Sequence, residues 1–348
     1  MCSDVYFRVT VSVLVSCMCF ALWSRIDTDV TEKVMFRPRG KIARAIYLKQ
    51  ESDRRLERID KSKWYILKDK ELLQDDIASL FVQMEMDTDT ENFLENCSEK
   101  SDWIFTQLWH SLVELFLTFF LTRTSINGAE RGRHVPSLFA RRFMLVAHGC
   151  AHSLLGRGSM FVFSTEHFKK LLNITSDAKL GSLLDIGAGD GATTERMAPF
   201  FEQVSATEIS PPMRWALAKK QFRVLELTDW AGHKFDVVTC LNVLDRCDSP
   251  LSLLEQMKRA LNPGGVLIIA LVLPYIPYVE TNKSLAPSER LPLEGDTAEE
   301  QINGFAAFLS SLDLKIWRWT KMPYISEGDI EQAYYWLDDY IFLIAPTS

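Results

Sequence analysis

One stretch constrains the fold more than any other: Lys179-Leu-Gly-Ser-Leu-Leu-Asp-Ile-Gly-Ala-Gly-Asp-Gly-Ala-Thr-Thr194. Leu183, Leu184 and Ile186 have the run length and flanks of a buried central strand. Gly187, Gly189 and Gly191, with Ala188 after the first, then allow a sharp turn and the close approach of a ligand where a Cβ would collide. Thr193 and Thr194 open a helix. The strand, turn and helix predict a nucleotide-like ligand lying against bare backbone amides at the helix N-terminus.

The spacing Gly-x-Gly-x-Gly differs from the Gly-x-Gly-x-x-Gly of dinucleotide-binding turns. Asp185, at the strand end, would repel a pyrophosphate and suits a cationic amino group, which favours S-adenosylmethionine over NAD. The second strand, Gln203-Val-Ser-Ala-Thr-Glu-Ile209, ends in Glu208, where a carboxylate accepts hydrogen bonds from ribose hydroxyls. A surface turn followed by an ordinary glutamate is the plain alternative.

Strands and helices alternate beyond this point. A helix at 212–221 leads to a short strand at 223–227, a strand at 235–241 and a helix at 251–261 closed by Asn262-Pro-Gly-Gly265. A strand at 266–273, a Pro-rich excursion, a helix at 299–311 and strands at 315–319 and 340–344 complete the order. This pattern predicts an α/β fold, a doubly wound seven-stranded sheet with an antiparallel last strand.

A chain of 348 residues, 47% apolar, is long enough for one large domain and an N-terminal extension, and a net charge of -7 gives no nucleic-acid footprint. Arg8 precedes an apolar run at 9–23 with the length of a signal-peptide core, so residues 1–24 read as a signal peptide or an uncleaved signal anchor. The expected location is the endoplasmic reticulum and endomembrane system, or secretion, with membrane association through this segment. Three Asn-x-Ser/Thr triplets, at Asn96, Asn173 and Asn282, would then be open to glycosylation.

Residues 25–122 read as a helical extension, polar over 41–96. At 103–121, Ile104, Leu108, Leu112, Leu115, Phe116 and Phe119 share one side, a helix expected to cover the sheet rather than cross a membrane because His110 and Glu114 interrupt it. Residues 123–155 form an atypical insertion before the domain at 156–348. Its His148-Gly-Cys150-Ala-His152 lacks a fourth ligand, and Gly149 weakens the helix that alignment requires, so no metal is expected. The seven cysteines include no Cys-x-x-Cys pair, and Cys240 reads as a small core hydrophobe.

Five blocks in order carry a resemblance: Gly156-Arg-Gly-Ser-Met-Phe-Val-Phe-Ser164, Asp185-Ile-Gly-Ala-Gly-Asp-Gly191, Cys240-Leu-Asn-Val-Leu-Asp-Arg-Cys247, Leu271-Val-Leu-Pro-Tyr-Ile-Pro-Tyr-Val-Glu280 and Glu327-Gly-Asp329. From about Trp103 to the C-terminus the chain resembles the DREV family of methyltransferase-like proteins. The resemblance implies the class I S-adenosylmethionine-dependent methyltransferase fold. It also implies an enzyme that methylates the pros nitrogen of histidine in His-x-His motifs of protein substrates, x being small. The chain departs from the family by inserting most of 129–155 between Ser125-Ile-Asn-Gly128 and the Gly-Arg-Gly-Ser-Met block. A surface loop and a gene-model error both account for it.

Asn242 and Asp245 follow the strand at 235–241, and the resemblance points to the same pair. Asp245 is assigned as the acceptor that fixes the imidazole tautomer and Asn242 as a positioning residue beside the cofactor. A capping role for Asp245 competes, although Asp248 and Ser249 stand nearer the next helix. Tyr324 and Tyr335 match family positions near the peptide, where Glu208 is also expected to border the substrate; core packing competes for Tyr335. Asp229, with Trp230, is the adenine-side candidate, and Arg157 is the candidate partner of the cofactor carboxylate; a structural turn explains the glycines flanking Arg157 equally well. The competing functions are a small-molecule methyltransferase of this fold and a non-catalytic membrane-associated scaffold, the latter opposed by intact Asp185, Glu208, Asn242 and Asp245.

Overall fold

The computed structural model describes residues 41–100, 159–175, 179–279, 284–328 and 332–347. The signal segment, the helix at 103–121, the insertion with His148, Cys150 and His152, and Arg157, Glu280, Asn282 and Asp329 lie outside the described residues. Two compact units divide the chain. The first comprises Met1–Glu57, Lys100–Glu130 and Asp329–Ala333, and most of its described residues form helix α1, Lys41–Glu57. The second comprises Arg58–Glu99, Arg131–Gly328 and Tyr334–Ser348 and contains the sheet.

The strands are β1 (Met160–Phe161), β2 (Leu180–Ile186), β3 (Phe201–Thr207), β4 (Arg223–Val224), β5 (Phe235–Leu241), β6 (Leu261–Val272), β7 (Leu314–Glu327) and β8 (Tyr334–Pro346). They lie side by side in the order β1-β7-β8-β6-β5-β2-β3-β4. The run from β4 to β6 is parallel, whereas β8 is antiparallel to β6 and β7, and β1 to β7. The seven expected strands and the antiparallel last strand are present, and β1 adds an eighth at the edge. It exists because β7 continues well past the expected 315–319, so that Ile325 and Ser326 can pair with Phe161 and Met160.

The remaining helices are α2 (Asp75–Ser79), α3 (Thr88–Lys100), α4 (Thr165–Leu172), α5 (Ala192–Met197), α6 (Pro211–Lys219), α7 (Pro250–Arg259) and α8 (Ala298–Ser311). Both faces of the central strands are covered, which is why they read as continuous apolar runs: Leu183, Leu184, Val238, Cys240, Leu267, Ile268 and Ile269 are fully buried. Cys240 packs as a small hydrophobe, as its strand context predicted. On one face Phe305 of α8 meets Phe342 at 5.1 Å between ring centroids, and Trp319 stacks on Phe342 at 6.1 Å. On the other, Phe163, Phe168 and Leu171 gather around Thr320, Met322 and Ile341.

Helix α4 begins with a capping box in which the Ser164 hydroxyl accepts from His167 N at 3.0 Å and His167 Nδ1 accepts from Ser164 N at 3.4 Å. With Nδ1 an acceptor, Nε2 carries the proton and donates to Glu85 O at 2.7 Å. That bond ties Arg58–Glu99 to the sheet, as do Trp319 Nε1 to Ile77 O and Val82 N to Trp319 O, both 2.8 Å. The segment 41–96, expected as polar helices, thus contributes Trp64, Tyr65, Leu73, Ile77 and Met84 to the buried interior. These side chains sit in short 3-10 turns, extended links and, for Ile77, the five-residue helix α2, all too short for a 3.6-residue apolar period to reveal them.

Candidate active site

Strand β2 delivers Asp185 to the carboxyl edge of the sheet, and Gly187, Gly189 and Gly191 follow with φ of +71°, +56° and +79°. All three lie in the left-handed region that L side chains avoid, which accounts for their spacing. A Cβ at Gly187 would stand 2.5 Å from Val243 Cγ2, whereas one at Gly189 would meet nothing within 4 Å. Gly189 therefore faces open space as bare backbone. It lines a cavity of roughly 630 Å³ together with Asp185, Gly187, Ala188, Leu241 and Tyr324.

The amides of this turn are not free. Gly187 N and Ala188 N both donate to Thr207 O at 3.0 Å, Gly189 N donates to Glu208 Oε2 at 2.9 Å, Gly191 N to Ala188 O at 3.0 Å, and Ala192 N to Asp190 Oδ1 at 2.9 Å. The expectation of bare amides awaiting a ligand is corrected for these five: the end of β3, Ala188 O, Glu208 and Asp190 take them, so none of the five is left for a phosphate. The close approach allowed by Gly189 remains, and it suits an uncharged or cationic ligand surface.

Asp185 is buried, its Oδ2 accepting from Thr194 Oγ1 at 2.6 Å and its Oδ1 from Thr239 Oγ1 at 2.7 Å. Burial pushes its pKa up to about 6, the two hydroxyls pull it back, and the charge of Glu208 adds to the rise. A cation above the turn relieves that cost. Glu208, expected to hold ribose hydroxyls and border the substrate, lies beneath the turn with Oε2 on Gly189 N and Oε1 on Ser210 N at 2.8 Å, and it is not part of the cavity wall. Its carboxylate shapes the turn.

The cavity also reaches β5, β7 and β1. Leu241 and Tyr324 line it, and Tyr324 Oη contacts the Met160 sulfur on β1. Asn242, immediately after β5, has φ +56° and donates from Nδ2 to Asp339 Oδ2 at 2.9 Å. Asp245 is nearly fully buried, with Oδ2 at 3.2 Å from Arg246 Nε. Asn242 Oδ1 and Asp245 Oδ1 are both buried and have no hydrogen-bond donor. Burial raises the pKa of Asp245 against the pull of Arg246, and it lifts that of Asp339 to about 7, with the Asp245 charge adding to the rise. Burial raises the Tyr324 phenol as well, reinforced by Asp339 and Asp245. Of Asn242, Asp245 and Tyr324, only Tyr324 is part of the cavity wall; the buried oxygens of Asn242 and Asp245 lie behind it, following Leu241, which does line it.

Other candidates fall elsewhere. Trp230 is 3% exposed within the hydrophobic core, so its expected place beside an adenine is corrected: the ring supplies apolar packing. Asp229 is exposed, accepts from Thr228 Oγ1 at 2.9 Å and stands outside the cavity wall. Tyr335, 40% exposed on β8, is not part of the cavity wall either, although it shares the face of β8 that carries Asp339. Ser249 occupies the N-cap position of α7 but makes no side-chain cap bond; Glu289 instead accepts from Leu251 N and Ser252 N, both at 3.1 Å, and Asp248 accepts from Ser288 N at 2.9 Å.

Sequence reasoning missed Thr194 and Thr239, which hold Asp185, and Asp339, which holds Asn242. It also missed Met213, Trp215, Ala216 and Lys219 of α6, which wall the cavity opposite the turn. Trp215 is 56% exposed, with Lys219 Nζ 5.5 Å from its ring centroid, and it offers a flat aromatic face. Among the described residues no group of three or more His, Cys, Asp or Glu is placed to hold a metal ion. Among them, too, no helix is long and apolar enough to cross a membrane.

The family model described as DREV methyltransferase matches residues 64–140 and 140–346, the two matches meeting inside the atypical segment at 123–155. Ubiquinone biosynthesis O-methyltransferase of Xanthomonas campestris pv. campestris (strain B100) is 29% identical over 99 residues, covering 25% of this chain and 41% of that protein. The protein of the same name from Alkalilimnicola ehrlichii is 31% identical over 99 residues, covering 25% of this chain and 40% of its own length. The chain therefore spans about two fifths of the length of these curated relatives. Among solved structures, the DhpI-SAM-HEP complex is similar over 62% of this chain and 100% of that chain, at 12% identity and a TM-score of 0.37. The N-methyltransferase NodS from Bradyrhizobium japonicum WM9, in complex with S-adenosyl-L-homocysteine, is similar over 53% of this chain and 87% of that chain, at 17% identity and a TM-score of 0.35.

Proposed function

The chain belongs to the DREV methyltransferase family, and from that premise we propose that it transfers a methyl group from S-adenosylmethionine to the pros nitrogen of histidine in His-x-His segments of protein substrates. The observation that carries the proposal is the pair of buried acceptors, Asn242 Oδ1 and Asp245 Oδ1, left without a protein donor at the end of the strand whose Leu241 lines the cavity.

S-adenosylmethionine, when bound, supplies a methyl carbon on a positively charged sulfur. The residues around the cavity fit that group: bare backbone at Gly189, turn amides already taken by protein acceptors, and a buried carboxylate at Asp185 that gains from a nearby cation. Trp215 offers an aromatic face for the base.

An imidazole with an ordinary pKa near 6.5 is mostly neutral at pH 7 and needs no strong base to expose a lone pair. It needs the right tautomer. A buried acceptor that takes the tele N–H leaves the pros nitrogen free to attack, and Asp245 Oδ1 is such an acceptor. Once the ring is methylated and positively charged, the carboxylates of Asp245 and Asp339 stabilise it. Tyr324 lines the cavity and contributes a ring face and a hydroxyl. On the sequence alone, the apolar run at 9–23 directs the enzyme to its substrates within the endomembrane system.

The ubiquinone biosynthesis O-methyltransferases among the curated relatives make a small-molecule acceptor the competing reading. Enzyme and labelled S-adenosylmethionine are incubated with a His-Ala-His peptide, the same peptide with both histidines replaced by alanine, and a metabolite extract. Label on the His-Ala-His peptide alone supports the proposal; label only in the extract moves the assignment to a small molecule.

A further inference from the structure

We infer that Asp339 is a positioning residue that dictates which end of the Asn242 side-chain amide faces the substrate ring; this deepens the histidine-methylation reading and rests on it. Asp339 occupies an unusual place for a carboxylate. It lies within β8, opposite Val272 of β6 and Met322 of β7, with no accessible surface, in a strand otherwise rich in aromatic and aliphatic residues. A charge so placed is costly unless every lone pair does something specific.

Its two oxygens are both acceptors. Oδ1 takes the hydrogen of Tyr340 N at 3.0 Å and Oδ2 that of Asn242 Nδ2 at 2.9 Å. The ionised carboxylate, the form that prevails above about pH 7, only accepts, so in that form the amide turns its NH2 toward Asp339 and its carbonyl Oδ1 away. That Oδ1 is buried without a donor, as is Asp245 Oδ1. The left-handed backbone of Asn242 at φ +56° and its N–H bond to Ala270 O at 3.1 Å hold the residue so that the amide is the part left to orient.

The consequence is two acceptors, Asn242 Oδ1 and Asp245 Oδ1, neither of them occupied by a protein donor. Reversed, the Asn242 amide would present NH2 to a ring N–H, donor against donor, and favour the tautomer whose pros nitrogen carries the proton. Asp339 thereby sets the polarity of the site through Asn242 without touching the substrate.

Asp339→Asn tests this while preserving shape. An amide can face Asn242 with either end, so the orientation is no longer enforced. Turnover of the His-Ala-His peptide is expected to fall roughly 10- to 100-fold in kcat, the scale of losing one charge-assisted hydrogen bond. The Kd for S-adenosyl-L-homocysteine should stay within about twofold, since Asp339 is not part of the cavity wall. The exchanged pair, Asn242→Asp with Asp339→Asn, restores one donor and one acceptor between the two positions and leaves a carboxylate oxygen facing the ring. It should recover about tenfold in kcat over Asp339→Asn alone.

Wild-type kcat in Asp339→Asn overturns the inference, as does an exchanged pair no better than the single variant. A parallel loss of cofactor affinity and melting temperature in Asp339→Asn also overturns it, since that marks a merely structural residue. A wild-type enzyme that leaves the peptide unmethylated counts against the histidine reading instead. In that case the Asn242 side-chain NH2 resonances still decide the inference: they shift in Asp339→Asn if the amide donates to the carboxylate, and unchanged resonances refute it.

Discussion

Replacing Gly189 by alanine separates the fold's need for glycine from the ligand's. At φ +56° an L side chain costs about 1–2 kcal/mol in backbone strain. Nothing within 4 Å would obstruct the new Cβ, so strain is the whole cost to folding. The melting temperature is expected to drop by about 2–4 °C for each kcal/mol. The same methyl projects into the open space along the cavity floor, where a ligand would otherwise touch bare backbone. Losing that approach by even a fraction of a contact layer costs about 1.4–2.8 kcal/mol of binding, a 10- to 100-fold weaker Kd. Gly187→Ala is the contrasting variant. Its Cβ would sit 2.5 Å from Val243 Cγ2, a branched side chain with little room to turn, so overpacking of about 1–3 kcal/mol adds to the strain and the fold suffers first. Thermal melts and calorimetric titration with S-adenosyl-L-homocysteine read both quantities on the same samples. Wild-type affinity in Gly189→Ala would refute the placement of the cofactor, and unfolding as severe as that of Gly187→Ala would refute the open space at Gly189.

Glu208→Ala removes the acceptor for Gly189 N and Ser210 N, two amides at about 1–3 kcal/mol each if left unpaired. Melting temperature and S-adenosyl-L-homocysteine affinity should fall together, whereas a ribose-binding residue with no part in the turn would lose affinity alone. Asp185 predicts a pH dependence: its folded pKa near 6 lies above the ordinary 3.8, so its contribution to stability is full below about pH 4 and is lost as pH rises through 6. A cationic amino group pulls that pKa down, and S-adenosyl-L-homocysteine, though it lacks the sulfonium, carries one; its affinity should climb from pH 5 to 7 and then level, with the climb absent in Asp185→Asn, as titrations across that range check.

The sheet was legible because alternating apolar runs and the triple-glycine turn encode backbone geometry directly. Positive φ demands glycine, and Gly187, Gly189 and Gly191 announce it. Hydrogen-bond partners distant in sequence were not legible. Nothing local to Gly189 says that its amide is taken by Glu208, or that Glu289 rather than Asp248 serves the start of α7. Asp339 escaped because its strand read as 340–344, one residue short of it. The signal was there: an acidic pair, Asp338-Asp339, inside Tyr-Tyr-Trp-Leu-Asp-Asp-Tyr-Ile-Phe-Leu-Ile, where a buried charge must have a reason. Trp230 misled for the opposite cause, since a tryptophan beside an acid suggests a ligand face while the fold uses the ring as core.

Under the proposed function Asn242 and Asp245 select one ring nitrogen, so the position of the methyl group tests that chemistry most directly. A His-Ala-His peptide treated with enzyme and S-adenosylmethionine is hydrolysed and its methylhistidine separated against pros and tele standards. The expected product is pros-methylhistidine, abolished in Asp245→Ala; tele-methylhistidine, or pros-methylhistidine undiminished in that variant, would contradict the roles given to the two residues.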